Sequence, residues 1–78
     1  MRVLFFAQLK DATGCDAIEL APAPRDGEQL WSTLLKKFPA LAAQRATVRL
    51  ARNWEYAAPE ATFREEDEVA LIPPVSGG

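Results

Sequence analysis

The apolar positions form several short runs and one longer periodic stretch. Val3-Leu4-Phe5-Phe6-Ala7 is apolar on both alternating faces and too short for a stable helix. Its β-branched and aromatic content predicts a strand over 2–8, and two apolar faces place that strand inside a sheet. Lys10-Asp11-Ala12-Thr13-Gly14 reads as a turn in which Gly14 is free to take positive φ. Ala17-Ile18-Glu19-Leu20-Ala21 alternates, which predicts a returning strand near 16–21 that Pro22 and Pro24 end. Leu30, Trp31, Leu34, Leu35 and Phe38 recur at helical spacing and share one face of a helix over 27–38. Asp26 is placed to accept from the free N–H groups at its start, and Gln29 stands where a capping box needs it. Lys36 and Lys37 suit the negative end of the helix dipole, and Pro39 stops the helix.

The second half is choppier. Residues 40–44 predict a short further turn. A strand follows over 47–52, with Val48 and Leu50 on one side. Asn53-Trp54-Glu55-Tyr56 reads as a turn and then a short strand, and 64–67 as a charged turn. Val69-Ala70-Leu71-Ile72 is a second all-apolar run, a strand over 68–73. The order is then strand, strand, helix, strand, short strand, strand. The two most apolar strands are first and last, so both are expected side by side and parallel in the middle of a mixed sheet. One main helix covers one face. This is an α+β, β-grasp (ubiquitin-like) arrangement, with residues 1–74 as the domain and 75–78 as a flexible tail.

Composition narrows the chemistry. Seventy-eight residues make one domain, 49% apolar and 26% charged, which argues against disorder. A net charge of −2 lacks the basic surplus of a nucleic-acid module, so no nucleic-acid partner is expected. With no membrane-length apolar run and no signal-peptide pattern, no membrane partner is expected and a cytoplasmic location is the simplest expectation. There is no histidine, which removes Ser–His and Cys–His catalysis and the commonest zinc ligand. The one cysteine, Cys15, can neither form an internal disulfide nor hold an iron–sulfur cluster. No metal and no bound cofactor are therefore expected. Cys15 follows a turn without the cationic neighbours that would activate a thiol, which favours a structural role.

The tail carries the remaining chemistry. Pro73 and Pro74 stiffen the exit from the last strand, and Val75-Ser76-Gly77-Gly78 follow. A side-chain-free end can thread a narrow channel into another protein and let catalytic groups approach a carboxylate closely. Val3-Leu4-Phe5-Phe6-Ala7-Gln8 at one end, and Asp67-Glu68-Val69-Ala70-Leu71-Ile72-Pro73-Pro74-Val75-Ser76-Gly77-Gly78 at the other, resemble the small, sulfur-carrying subunits of molybdopterin synthases. The likeness extends over the whole chain in length and element order, and it is weakest around Trp31 and Trp54.

That resemblance implies a course of reaction. A partner adenylating enzyme would use ATP to convert the Gly78 carboxylate to an acyl-adenylate. Sulfur from a persulfide donor would replace AMP and leave a thiocarboxylate on Gly78. The carrier would then dock on the large synthase subunit and donate sulfur to cyclic pyranopterin monophosphate, two transfers completing the dithiolene of molybdopterin. The acid–base groups would be mainly the large subunit's, in an assembly of two large and two small subunits. Gly77 and Gly78 would be the reacting end, and Pro73, Pro74, Val75 and Ser76 would lie along the partner's channel.

The domain offers further partner-binding candidates. If Val3, Phe5, Val69 and Leu71 face the helix, Phe6 and Ile72 form an exposed apolar patch, the usual mark of a partner surface. With the parity reversed they are ordinary core. Tyr56 fits the same contact. Lys10 could pair with acidic groups of a partner or simply be solvated. The acidic run 65–68 reads as a solvated turn that could also orient the carrier on a basic surface. Three other readings share the fold: the thiamin-pathway sulfur carrier, a ubiquitin-like modifier joined to protein lysines, and a plain β-grasp interaction domain.

Overall fold

The computed structural model describes residues 1–58 and 60–74. Five strands, β1 Arg2–Phe5, β2 Ala17–Glu19, β3 Arg49–Arg52, β4 Glu55–Tyr56 and β5 Glu68–Ile72, form one sheet in the order β2-β1-β5-β3-β4. β1 and β5 run parallel at its centre, with Val3 beside Val69 and Phe5 beside Leu71. The other pairings are antiparallel. A mixed sheet with parallel first and last strands and one main helix packed on it is the β-grasp fold read from the sequence.

The main helix, α2 Gly27–Lys37, begins and ends where the capping residues place it. The Asp26 side chain accepts from the Gln29 N–H at 2.9 Å. The Gln29 side chain reaches back to the Arg25 N–H, one residue beyond an ideal capping box. Leu30, Trp31 and Leu34 are buried, while Leu35 and Phe38 pack at the edge of the core. Facing them are Val3, Phe5, Val69 and Leu71, all essentially inaccessible. The helix-facing parity is thus the one the patch reading required. The short turn expected over 40–44 is a 3₁₀ turn, Pro39–Ala43, whose Leu41 is fully buried.

The stretch after β1 differs from the sequence reading. The strand ends at Phe5 rather than near residue 8, and Gln8–Thr13 is a short helix, α1, not a turn. Leu9 is fully buried and Ala12 packs against the core, so this one-and-a-half-turn helix plugs one end of the sheet. Six residues are too few for helical periodicity to separate them from a turn. Gly14 ends α1 at φ 75°, its N–H donating to the Lys10 carbonyl at 2.7 Å. The chain enters α1 through Ala7 at φ 49° and ψ −129°, with the Leu9 N–H donating to the Phe6 carbonyl at 2.9 Å. This is a type II′ turn with alanine where glycine is preferred. The acidic turn is also not wholly solvated, since Asp67 is buried.

Candidate functional site: the uncovered face of the sheet

Strand alternation gives the sheet a second face, and α2 covers only the first. Leu4, Ala70, Ala51 and Ile72 point away from the helix, as the pairings Leu4–Ala70 and Ala51–Ala70 require. Ala51 pairs with Tyr56 on β4, which brings the tyrosine to the same side. Phe6 and Ile72 are half-buried, while Tyr56 and Trp54 are each 67% exposed. The Phe6 and Trp54 rings lie 6.5 Å apart, tilted by 56°. The small Ala51 leaves a shallow depression of about 210 Å³ lined by Ala51, Trp54, Tyr56 and Ile72. Phe6, Tyr56 and Ile72 therefore share one surface, in which large apolar side chains stand around a socket at Ala51.

Trp54 is the member that sequence reasoning did not count. It sits with Asn53 in the two-residue loop of the β3–β4 hairpin, at φ 70° and 52°. Positive φ at both loop positions matches the right-handed twist of the strands and calls for Asn-Gly. Asn53 meets that requirement and Trp54 does not. A bulky residue in left-handed backbone is an outlier, and such strain gathers at functional sites. The sequence signal is an Asn-Trp pair where Asn-Gly belongs, and it can be read only once the hairpin loop is placed at 53–54.

The turn is held from below by Asp67. Its carboxylate accepts from Asn53 Nδ2 at 3.0 Å and from the Arg64 N–H at 2.8 Å. Asn53 Oδ1 in turn accepts from the Glu68 N–H at 3.0 Å. The Asn53 hydrogen bond is the main reason the Asp67 carboxyl is held below its ordinary value; burial opposes it, and the Arg64 N–H and the nearby Arg52 and Arg64 charges assist. This network ties the hairpin loop to the start of β5.

The remaining candidates lie elsewhere. Lys10 is on α1, half-exposed, with Nζ 3.2 Å from Asp16. That is an exposed pair of little energetic weight, and it leaves the ammonium near the surface. Cys15 is half-buried against the core. Pro73 is half-buried and Pro74 exposed just past Ile72, so the chain leaves the sheet beside the apolar depression. Val75, Ser76, Gly77 and Gly78 lie outside the described residues. Among the described residues, no group of three or more acidic or cysteine side chains is placed to hold a metal ion. No helix there is long and apolar enough to cross a membrane.

Comparison with known proteins identifies the family and the fold. The profile of the ThiS family matches residues 3–78. The molybdopterin synthase sulfur carrier subunit of Caenorhabditis briggsae is 39% identical over 82 residues, covering all of this chain and 96% of that protein. The Arabidopsis thaliana protein of the same name is 38% identical over 79 residues, covering all of this chain and 82% of its own length. Among solved structures, SAMP1 from Haloferax volcanii superposes with a TM-score of 0.80 at 26% identity, covering 99% of this chain and 97% of that one. Subunit 1 or 2 of the molybdopterin-converting factor, in a protein–protein complex from Helicobacter pylori, matches in fold at a TM-score of 0.68 and 22% identity, covering 99% and 96%. The chain belongs to the ThiS family, and its curated relatives are the sulfur carrier subunits of molybdopterin synthase.

Proposed function

We propose that this chain is the sulfur carrier of a molybdopterin synthase, with the Gly78 carboxylate as the group that is adenylated and then converted to a thiocarboxylate. The observation that carries the reading is full-length similarity, up to 39% identity, to proteins of that name, in a chain reading Gly77-Gly78 at its end. A carboxylate is a poor electrophile; an adenylating partner consuming ATP makes it an acyl-adenylate. A persulfide donor's outer sulfur then expels AMP to give an acyl disulfide. A second thiol cleaves that disulfide, releasing the thiocarboxylate and leaving the donor's inner sulfur in an ordinary disulfide. The chain has no histidine to act as a base. Its part is to dock. The uncovered sheet face meets the large subunit through Phe6, Trp54, Tyr56 and Ile72, and Pro73 and Pro74 direct the chain from the edge of that face. Four further residues reach at most ~14 Å, which puts the acceptor close to the docked face.

The test feeds the chain, a large subunit, an adenylating enzyme, ATP and a sulfide source to cyclic pyranopterin monophosphate, with intact-mass analysis of the carrier. The expected result is a mass gain of one oxygen replaced by sulfur, followed by dithiolene formation. Deleting Gly78 withdraws the carboxylate by about 3.5 Å, and a misplacement near 1 Å can already cost ~100-fold. Extending the chain past Gly78 turns the reacting carboxylate into an amide. Both variants should be inactive while folding normally, and dithiolene production by the extended variant at the parent rate would exclude this reading. The likeness to SAMP1, a small archaeal modifier protein by its family's name, favours a second reading in which Gly78 is joined to protein lysines. Isopeptide-linked products in place of dithiolene would identify it.

A further inference from the structure

A second surface lies at the edge of the sheet. Between α2 and the β3–β4 edge runs a groove of about 590 Å³, floored by Trp31, Val48 and Leu50 and flanked by Arg45, Arg49 and Tyr56. The Arg45 guanidinium carbon lies 5.8 Å from the centre of the Trp31 ring, and that of Arg49 lies 5.0 Å from the centre of the Tyr56 ring. A guanidinium held against an aromatic ring is already restrained, so less freedom is lost when a carboxylate binds its N–H groups. Among the described residues the basic groups in ion pairs are the Met1 amine, Arg2, Lys10 and Arg25; neither Arg45 nor Arg49 joins one. Glu28, on the groove wall, is not paired with them either.

We infer that this groove binds an acidic segment of a protein partner, with carboxylates on Arg45 and Arg49 and an aliphatic side chain between them on the Trp31–Val48–Leu50 floor. Charge complementarity names the occupant. Paired guanidinium forks suit carboxylates, and the apolar floor needs a side chain that a phosphate does not supply. A nucleic acid is disfavoured because the chain carries a net charge of −2, with Glu28 at the site itself. Tyr56 lines both this groove and the apolar depression, so one partner can span both. The inference stands apart from the sulfur-carrier reading, since it concerns binding and not the chemistry of Gly78.

The experiment is an NMR titration of the full chain with the capped peptide acetyl-Glu-Asp-Leu-Glu-Asp-amide. Saturable shifts are expected at Val48, Arg49, Leu50 and the indole of Trp31, and at the Arg45 and Arg49 side-chain N–H groups. Arg45→Glu/Arg49→Glu should weaken binding at least tenfold with the rest of the spectrum unchanged. Arg45→Lys/Arg49→Lys should retain part of it, at three- to fivefold weaker affinity. Equal binding of the Gln-Asn-Leu-Gln-Asn analogue, or no shifts in the groove, would overturn the inference. So would inorganic phosphate competing as strongly as the peptide at matched ionic strength, because the site would then read anions without a segment.

Discussion

Replacing Trp54 separates what that residue does for the fold from what it does for a partner. At φ 70° it is in left-handed backbone, which costs an L-residue with a β-carbon about 1–2 kcal/mol. Its return to the folded domain is small: the side chain is mostly exposed, and its main aromatic neighbour is Phe6 at 6.5 Å. Trp54→Ala and Trp54→Gly lose that neighbour equally, so the difference between them isolates the backbone. Glycine removes the strain but gives up about 0.5–1 kcal/mol more chain entropy than alanine. The glycine variant should therefore be the more stable of the two by ~0.5–1 kcal/mol, the reverse of their order inside a helix or strand. For a domain of this size that is a difference of about 3–6 °C in Tm, measurable by calorimetry or urea unfolding. Both variants should bind the large subunit at least ~30-fold more weakly, about 2 kcal/mol, if the exposed ring anchors the interface. An alanine variant as stable as the glycine variant would refute the strain argument. Undiminished binding by both would remove Trp54 from the interface.

Other perturbations test neighbouring steps. Ala7→Gly, at the φ 49° corner before α1, should stabilise the domain by about 0.5–1 kcal/mol in urea unfolding, by the same balance of strain against entropy. Ile72→Glu, at the half-buried rim of the depression, should keep the native spectrum but weaken docking by ~2 kcal/mol in calorimetric titration. Asp67 has a lowered folded pKa, so its contribution is present above the unfolded value near 3.8 and is lost as pH falls through the folded one. Asp67→Asn should lower stability at pH 7 by about 1–3 kcal/mol, since an amide cannot accept both hydrogen bonds in the same way, and should flatten that acid-side loss in pH-dependent unfolding. Cys15→Ser should leave sulfur transfer within about twofold of the parent in the reconstituted assay, because no step is routed through that thiol.

The parts of the fold readable from sequence are those where one physical requirement dominates. Val3 to Phe5 and Val69 to Ile72 are apolar at every position, which only a central strand tolerates, and they proved to be the paired centre of the sheet. Asp26, Gln29 and Pro39 bracket α2 through hydrogen-bond needs that few other structures meet. The Gln8–Thr13 helix was hidden for the opposite reason: α1 is held by one buried leucine and a glycine cap, and its composition suits a turn equally well. The burial of Asp67 was illegible because it depends on Asn53, fourteen residues away in sequence. The site divides the same way. Phe6 and Ile72 followed from strand parity, whereas Trp54 required knowing that its position demands positive φ.

The two sheet faces show why a chain this small leaves so much apolar surface open. One helix of eleven residues can cover only one side of a five-stranded sheet, and the buried core lies almost entirely between them. On the far side, Ala51 and Ala70 are 6% and 2% exposed, with no helix covering them among the described residues. They are shielded by Leu4, Phe6, Trp54, Tyr56 and Ile72, which stand around them and remain partly wet. A larger side chain at Ala51 would fill the depression and hide more apolar area, at no cost to the helix-facing core. Alanine forgoes that stabilisation and keeps a socket, just as Trp54 forgoes an unstrained turn and keeps an exposed ring. Both choices weaken the isolated domain, and the proposed docking of a second protein on this face would recover that loss, since apolar surface contributes when it leaves water. Under the proposed carrier role such an arrangement gives a core stable by itself on one side and, on the other, a surface whose gain would be realised only in a complex.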